Sequence, residues 1–346
     1  MQMLFSIFEL LITPQMHSQY IKTSFITWLL LISTVLISCK PAPGTWINEK
    51  IPANKQEQFH QLNTEMLKSL KANDPRQLEN IMSKEFLEAP GNNRLIELCS
   101  IRMRDDKNVL LDEYYIVHPT PEIITLKTFK YDMNSYSLRY EPLTQERYIS
   151  LYTLQQNGDR WLLTAIFNKY KYGWKVAALE LKPYTIWGKT APELYLQARQ
   201  DYDKGYLVNA TTAMELAYKC ADPNSMWTYD ELDDMDGFYN KVITEVHDKY
   251  KFPVVLNDVD TKPQIIKIFN QDRGEGNYPM IYYISKINVT DTAALRHEHE
   301  AVKKTIGKIM PGVDKNKKYL YYTVFNGMPD WNKKKIPHFE IEDSYE

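Results

Sequence analysis

Several short stretches combine residue types that chemistry can use. His297-Glu298-His299-Glu300 sets imidazoles beside carboxylates, the ingredients of a metal centre. Its neighbours Leu295, Val302, Ile306 and Ile309 are spaced for a helix, where residues two apart do not face each other. The spacing predicts His299 on the apolar stripe and His297 on the opposite side. A zinc pair on a helix needs i, i+4 spacing, so no metal site is expected there. Asp230-Glu231, Asp233-Asp234 and Asp236-Gly237 invite a calcium loop. With Gly237 at the sixth position, however, Leu232 and Ile243 fall where the loop needs oxygen ligands. A solvated acidic turn is the expectation instead. No G-x-S-x-G elbow, S-x-x-K set or G-x-x-x-x-G-K phosphate loop occurs, and Gly274-x-Gly276 lacks a third glycine. No catalytic residues and no cofactor are therefore expected, and the enzyme question leans to no.

The 25 tyrosines are the oddest compositional feature. Tyr148 and Tyr152 lie on one face of their strand, and Trp161, Leu163, Ala165 and Phe167 on one face of the next. Tyr148, Tyr152, Trp161 and Phe167 are the candidate ligand-binding residues. On a curved sheet such rings line a pocket for an apolar ring or a glycan. The competing reading packs them as core under helices, because every such sheet must bury one face.

The elements that would hold these residues begin at the N-terminus. Phe25 to Ile37 is an uninterrupted apolar run of 13 residues, short of the roughly 20 that span a bilayer. It fits the apolar region of a secretory signal, and Met16 is the natural start, leaving residues 1–15 aside. The run ends Leu36-Ile37-Ser38-Cys39, which resembles the lipobox of bacterial lipoproteins. That resemblance implies cleavage before Cys39, a diacylglyceryl group on its thiol and usually an acyl chain such as palmitate on its amine. More than one chain gives stable anchoring. A plain signal-anchor helix is the alternative. Lys40 follows the cysteine where an Asp would favour inner-membrane retention, so the outer membrane is expected.

Residues 1–38 thus read as a signal and 39–54 as the lipidated cysteine and a tether rich in proline. Residues 55–189 read as one α+β domain. Asn54-Lys-Gln-Glu57 matches a capping box, followed by Phe59, Leu62, Met66 and Leu70 at helical spacing. Asp74-Pro75 starts a second helix, and Asn93 to Met103 suggests a third. A meander of strands follows: Leu110–Val117, Ile123–Phe129, Tyr136–Tyr140, Tyr148–Leu154, Trp161–Phe167 and Trp174–Leu181. Helices and then long strands resemble the nuclear-transport-factor-like (cystatin-like) family, which implies helices packed on a curved antiparallel sheet.

Residues 190–224 begin with the capping box Thr190-Ala-Pro-Glu193. Ala198, Gly205, Ala210 and Ala217 then resemble a single tetratricopeptide unit. With no second copy, the segment reads as a helical hairpin joining two sheet domains. Residues 225–346 read as a second small α+β domain, with strands near 254–256, 264–269, 280–287 and 319–325, and a helix over Thr292–Met310.

The chain has 346 residues, 44% hydrophobic and 25% charged, which excludes a disordered chain, a fibrous repeat and a polytopic membrane protein. A net charge of −2 gives no field for nucleic acid. Lysines do gather near the C-terminus (Lys303, Lys304, Lys308, Lys315, Lys317, Lys318, Lys333–Lys335). They read as a solubilising face, with anionic headgroups or an acidic partner as the alternative. Cys99 and Cys220 are expected as buried free thiols. Together these readings point to a lipid-anchored envelope protein that binds or assembles with an envelope partner at a membrane surface.

Overall fold

The computed structural model describes residues 41–103, 108–120, 122–128, 132–156, 158–273, 277–315 and 318–345. Cys39, the apolar run before it, Gly274-Glu-Gly276 and Lys317 lie outside the described residues.

The first strand, β1 (Gly44–Ile47), lies within the segment expected to be a tether. Thr45, Trp46 and Ile47 favour extended backbone. Trp46 stacks on Tyr115 at 5.2 Å, which ties the strand down. Four helices follow: α1 (Ala53–Ala72), α2 (Pro75–Ile81), α3 (Lys84–Glu88) and α4 (Asn92–Arg102). The capping box expected at Asn54 does not form. Lys55 and Gln56 donate instead to the Pro52 carbonyl, so the cap falls on Pro52, two residues before Asn54, and has no side-chain hydrogen bond. Phe59, Met66 and Leu70 are buried on its inner face, and Asn73 ends it in the left-handed region at φ 48°. The Asp74 side chain accepts from the amides of Arg76 and Gln77, capping α2 as its Asp-Pro start predicts.

Strands β2 (Asn108–Val117), β3 (Ile124–Lys127), β4 (Tyr136–Tyr140), β5 (Glu146–Gln156), β6 (Asp159–Tyr170) and β7 (Gly173–Pro183) come next. The meander is not continuous. β2 pairs directly with β5, giving an antiparallel sheet in the order β1-β2-β5-β6-β7. β3 and β4 leave it to form a small sheet with β8 (Trp227–Tyr229). Aromatic packing explains the departure, since Tyr136 stacks on Trp227 at 3.4 Å and its hydroxyl meets that of Tyr114 at 2.8 Å.

The main sheet is covered on both faces. Tyr115, Tyr148, Leu163, Ala165 and Phe167 pack beneath the N-terminal helices. Tyr114, Ile149, Leu151 and Leu162 pack against the small sheet and the helical hairpin. Burial of both faces is why the strands read as nearly continuous apolar runs. A bulge between Leu110 and Asp112 shifts the register, and beyond it the strand alternates as usual, Asp112 toward the small sheet and Glu113 toward the N-terminal helices.

The hairpin is α5 (Ala191–Asp203) and α6 (Leu207–Lys219), started by the Thr190–Glu193 capping box. Gly205 takes φ 77° at the turn, a conformation a side chain would strain. Ala198, Ala210 and Ala217 are fully buried and let the helices approach closely. Helix α7 (Leu232–Lys249) starts six residues before the expected Phe238, with Asp233 and Asp234 in its first turn, where the helix dipole favours carboxylates.

The last sheet has the order β13-β12-β11-β10-β9. Its strands are β9 (Val254–Val255), β10 (Gln264–Asp272), β11 (Asn277–Ile284), β12 (Tyr319–Phe325) and β13 (Phe339–Ser344). β11 and β12 are parallel and joined through α8 (Thr292–Ile309), while the other pairs are antiparallel. Leu295, Val302 and Ile306 of α8 share a core with Ile281, Tyr283, Leu320 and Tyr322. Leu207 and Val208 of the hairpin join that core, whereas Met214, Leu216 and Ala217 join the first. Gly44–Glu346 is accordingly one compact unit, and its architecture is α+β, as the element order predicts.

Candidate functional site

The four candidate rings fall in the core between α1 and the main sheet. Tyr148 is fully buried, stacked on Phe59 at 4.1 Å and tilted against Phe167 at 5.6 Å. Tyr152 and Phe167 are also buried, and the half-buried Trp161 carries the Arg102 guanidinium 3.4 Å above its ring. Phe59, Met66 and Leu70 of α1 fill the space a pocket would need. An open groove of about 910 Å³ lies elsewhere, over the polar outer face of α1 beside Gln56, His60 and Thr64.

A polar chain not expected from the sequence runs inward from that groove. His60 Nε2 lies 3.1 Å from Glu113 Oε1, and Gln56 donates to the same oxygen at 3.1 Å. The Tyr148 hydroxyl donates to Glu113 Oε2 at 2.6 Å and accepts from Asn63 at 2.6 Å. Ser150 then donates to the Asn63 carbonyl oxygen at 2.9 Å. Burial, and after it the Glu113 charge, pushes the Tyr148 hydroxyl far above its usual range, so it stays a donor. Glu113 is only 1% exposed and fully supplied with partners, which makes the chain an anchor of α1 on the sheet. In sequence Glu113 looks like one more polar position on a strand. It faces α1 because it alternates with Tyr115 and Val117 on the helix-covered side of a sheet buried on both faces.

The His-Glu-His-Glu stretch sits on α8 as its spacing predicts, with His299 buried and His297 exposed. His299 Nε2 lies 3.0 Å from Asp343 Oδ2, and Lys303 Nζ lies 3.3 Å from the other carboxylate oxygen. Burial raises the Asp343 carboxyl, but the His299 hydrogen bond and the charges of His299 and Lys303 outweigh it. Its pKa is lowered as a result. Glu298, also buried, accepts from Ser285 at 3.0 Å. Among the described residues no cluster of three metal-ligating side chains occurs. Of the acidic run, Asp233 and Asp234 lie in the first turn of α7, and Asp236 accepts a hydrogen bond from the Tyr218 hydroxyl. Cys99 and Cys220 are buried and free, and burial pushes each thiol up to about 12.

The remaining chemistry lies on the outer face of the last sheet, opposite α8. Register places three rows across it: Lys267-Tyr282-Thr323-Glu340, then Phe269-Met280-Tyr321-Glu342, then Gln271-Tyr278-Tyr319-Ser344. Phe269, Tyr278, Tyr282, Tyr319 and Tyr321 are half-buried and pack edge-on or tilted against one another. The 326–338 loop lays Trp331 on Tyr282 at 5.7 Å, with Trp331 60% and Met328 68% exposed. Cations sit over these rings, Lys267 above Phe269 at 4.8 Å and Arg273 above Tyr321 at 4.8 Å. Edge tyrosines and a tryptophan combine an apolar body with a polar tip, the chemistry of an interface.

Comparison of the chain with protein-family models, curated proteins and solved structures finds no match. Among the described residues no helix is long and apolar enough to cross a membrane.

Proposed function

We propose that this chain is a lipid-anchored protein of the cell envelope, held at the outer membrane through Cys39, whose role is binding or assembly with a protein partner. The anchor reading rests on the thirteen-residue apolar run and the Leu36-Ile37-Ser38-Cys39 ending. The observation that carries the binding role is the outer face of the C-terminal sheet, where aromatic side chains and the exposed Trp331 stacked on Tyr282 form one patch. Contiguous apolar surface of this kind marks interaction sites on soluble domains. A pocket beneath the main sheet, the alternative location for binding, has its space taken by Phe59, Met66 and Leu70.

Two outcomes test this. Cys39→Ala releases the protein from membranes, and a variant that still sediments with membranes at high salt contradicts the acyl anchor. Trp331→Ala combined with Tyr319→Ser removes the adducts that a short amine crosslinker forms on the protein in its own membranes. Adducts identical to wild type contradict a binding role for the face.

A further inference from the structure

Most of the segment expected to be a tether is folded. β1 pairs with β2 along its whole length, from Gly44 opposite Val117 to Ile47 opposite Tyr114, and Trp46 stacks on Tyr115. Only Lys40, Pro41, Ala42 and Pro43 separate Cys39 from this pinned strand. Extended chain covers at most about 3.6 Å per residue, so the link from Cys39 to Gly44 spans no more than about 18 Å. A lipidated Cys39 therefore holds the start of β1 within that distance of the bilayer. The same end of the main sheet is where β2 ends and β5 begins, since Val117 pairs with both Gly44 and Glu146. Two connections leave the sheet there, from β2 to β3 and from β4 to β5. They run side by side. The His118 amide donates to the Gln145 carbonyl at 2.8 Å, and Ile124 pairs with Tyr140 at their other ends. Each carries an exposed aliphatic side chain, Ile123 at 57% and Leu143 at 77%, the latter the most exposed large apolar residue among those described. Lone exposed apolar residues are ordinary on a surface. Here two stand on joined loops beside the strand that the anchor holds down.

We infer that these two loops rest on the membrane that holds Cys39, with Ile123 and Leu143 set into its headgroup layer. The inference rests on the lipid-anchor reading and adds a second, non-covalent contact to it. Burial of apolar side chains at the boundary of headgroups and acyl chains supplies the attraction. Glu122 and Glu141 flank the tips and are exposed, so the contact suits a zwitterionic surface and gains nothing from an anionic one. Two aliphatic tips hold weakly on their own, but the four-residue link keeps their effective concentration at the surface high. The β6–β7 turn, which carries Tyr172, belongs to the far edge of the sheet from β1. Sheet twist of about 20–25° per strand turns it away, and Tyr172 stays in solvent.

The test uses the full chain extracted from its own membranes and reconstituted in phosphatidylcholine vesicles. Ile123→Cys, Leu143→Cys and Tyr172→Cys are made one at a time and labelled with a fluorophore. Cys99 and Cys220 are buried and do not compete. Lipids carrying a spin label at headgroup level act as the quencher. Quenching at 123 and 143 is expected to exceed that at 172 by about threefold or more. Equal quenching at the three positions, or none at 123 and 143, overturns the contact. A flexible Gly-Ser insert of twelve residues after Pro43 provides a second readout. It should lower the ratio of docked to undocked loops by about sixfold, because effective concentration falls roughly as the −3/2 power of linker length. Quenching unchanged by the insert also overturns the proposal. Flotation of the same vesicles keeps the two failures apart. A chain that does not float with them loses the lipid anchor and the contact together, whereas one that floats with unquenched loops loses the contact alone.

Discussion

Glu113 is the most demanding residue in the structure, a carboxylate at 1% exposure whose two oxygens serve Gln56, His60 and Tyr148. Removing one side of a buried, fully partnered charge strands the others. Glu113→Ala should cost about 3 kcal/mol in urea unfolding, and Glu113→Gln less because it keeps an acceptor. Equal, small losses for both would show that the chain does not anchor α1. Asp343 gives the pH counterpart. Its folded pKa lies below the ordinary value, so the unfolded chain binds the proton more readily. Its contribution is full above the ordinary Asp value of about 3.9 and declines as pH falls through the lower folded value. The gap in Tm between wild type and Asp343→Asn should shrink from pH 7 to pH 3, and a constant gap contradicts the pairing with His299 and Lys303. The two thiols, pushed up to about 12, should resist thiol reagents at neutral pH until the protein unfolds. Rapid labelling of the native protein would show that they are accessible.

Elements differ in how openly their ends are written. Asp74-Pro75 and Thr190-Ala-Pro-Glu193 are local signals, since a side chain and an amide three residues away are enough to make the cap. Asp74→Ala should cost about 1 kcal/mol, read as a shift in urea midpoint without a change in slope. Gly205→Ala, at φ 77°, should cost about 1–2 kcal/mol by the same measurement. A midpoint unchanged in either variant would contradict the cap or the turn. The failures share a cause. β1 is four residues between prolines and shows no period of its own, and its place is set by pairing to β2 and by Tyr115. β8 and β13 likewise form only through distant partners, β4 and β12. Asn54 offered a cap that Pro52 made redundant by starting the helix before it. Strand composition was readable, but which strands neighbour each other was not, so β3 and β4 were expected in the main sheet.

At the scale of the whole molecule, the arrangement of sheets decides which aromatic residues are core and which are surface. Tyr148 and Phe167 lie under α1, while Tyr282 and Tyr319 meet, among the described residues, rings of neighbouring strands and of the 326–338 loop, and strand pattern alone does not separate the two cases. The hairpin lends Met214 and Leu216 to one core and Leu207 and Val208 to the other, coupling the two sheets into one unit. The proposed binding role is therefore assigned to the outer face of the last sheet. Hydroxyl-radical footprinting of the full chain, in its own membranes and after solubilisation and dilution, tests that assignment most directly. Tyr278, Tyr282, Tyr319, Tyr321 and Trp331 are expected to be protected in the membrane and to become reactive on dilution, while Tyr172, exposed at 62%, reacts equally in both. Equal reactivity of the C-terminal rings in the two states would contradict it.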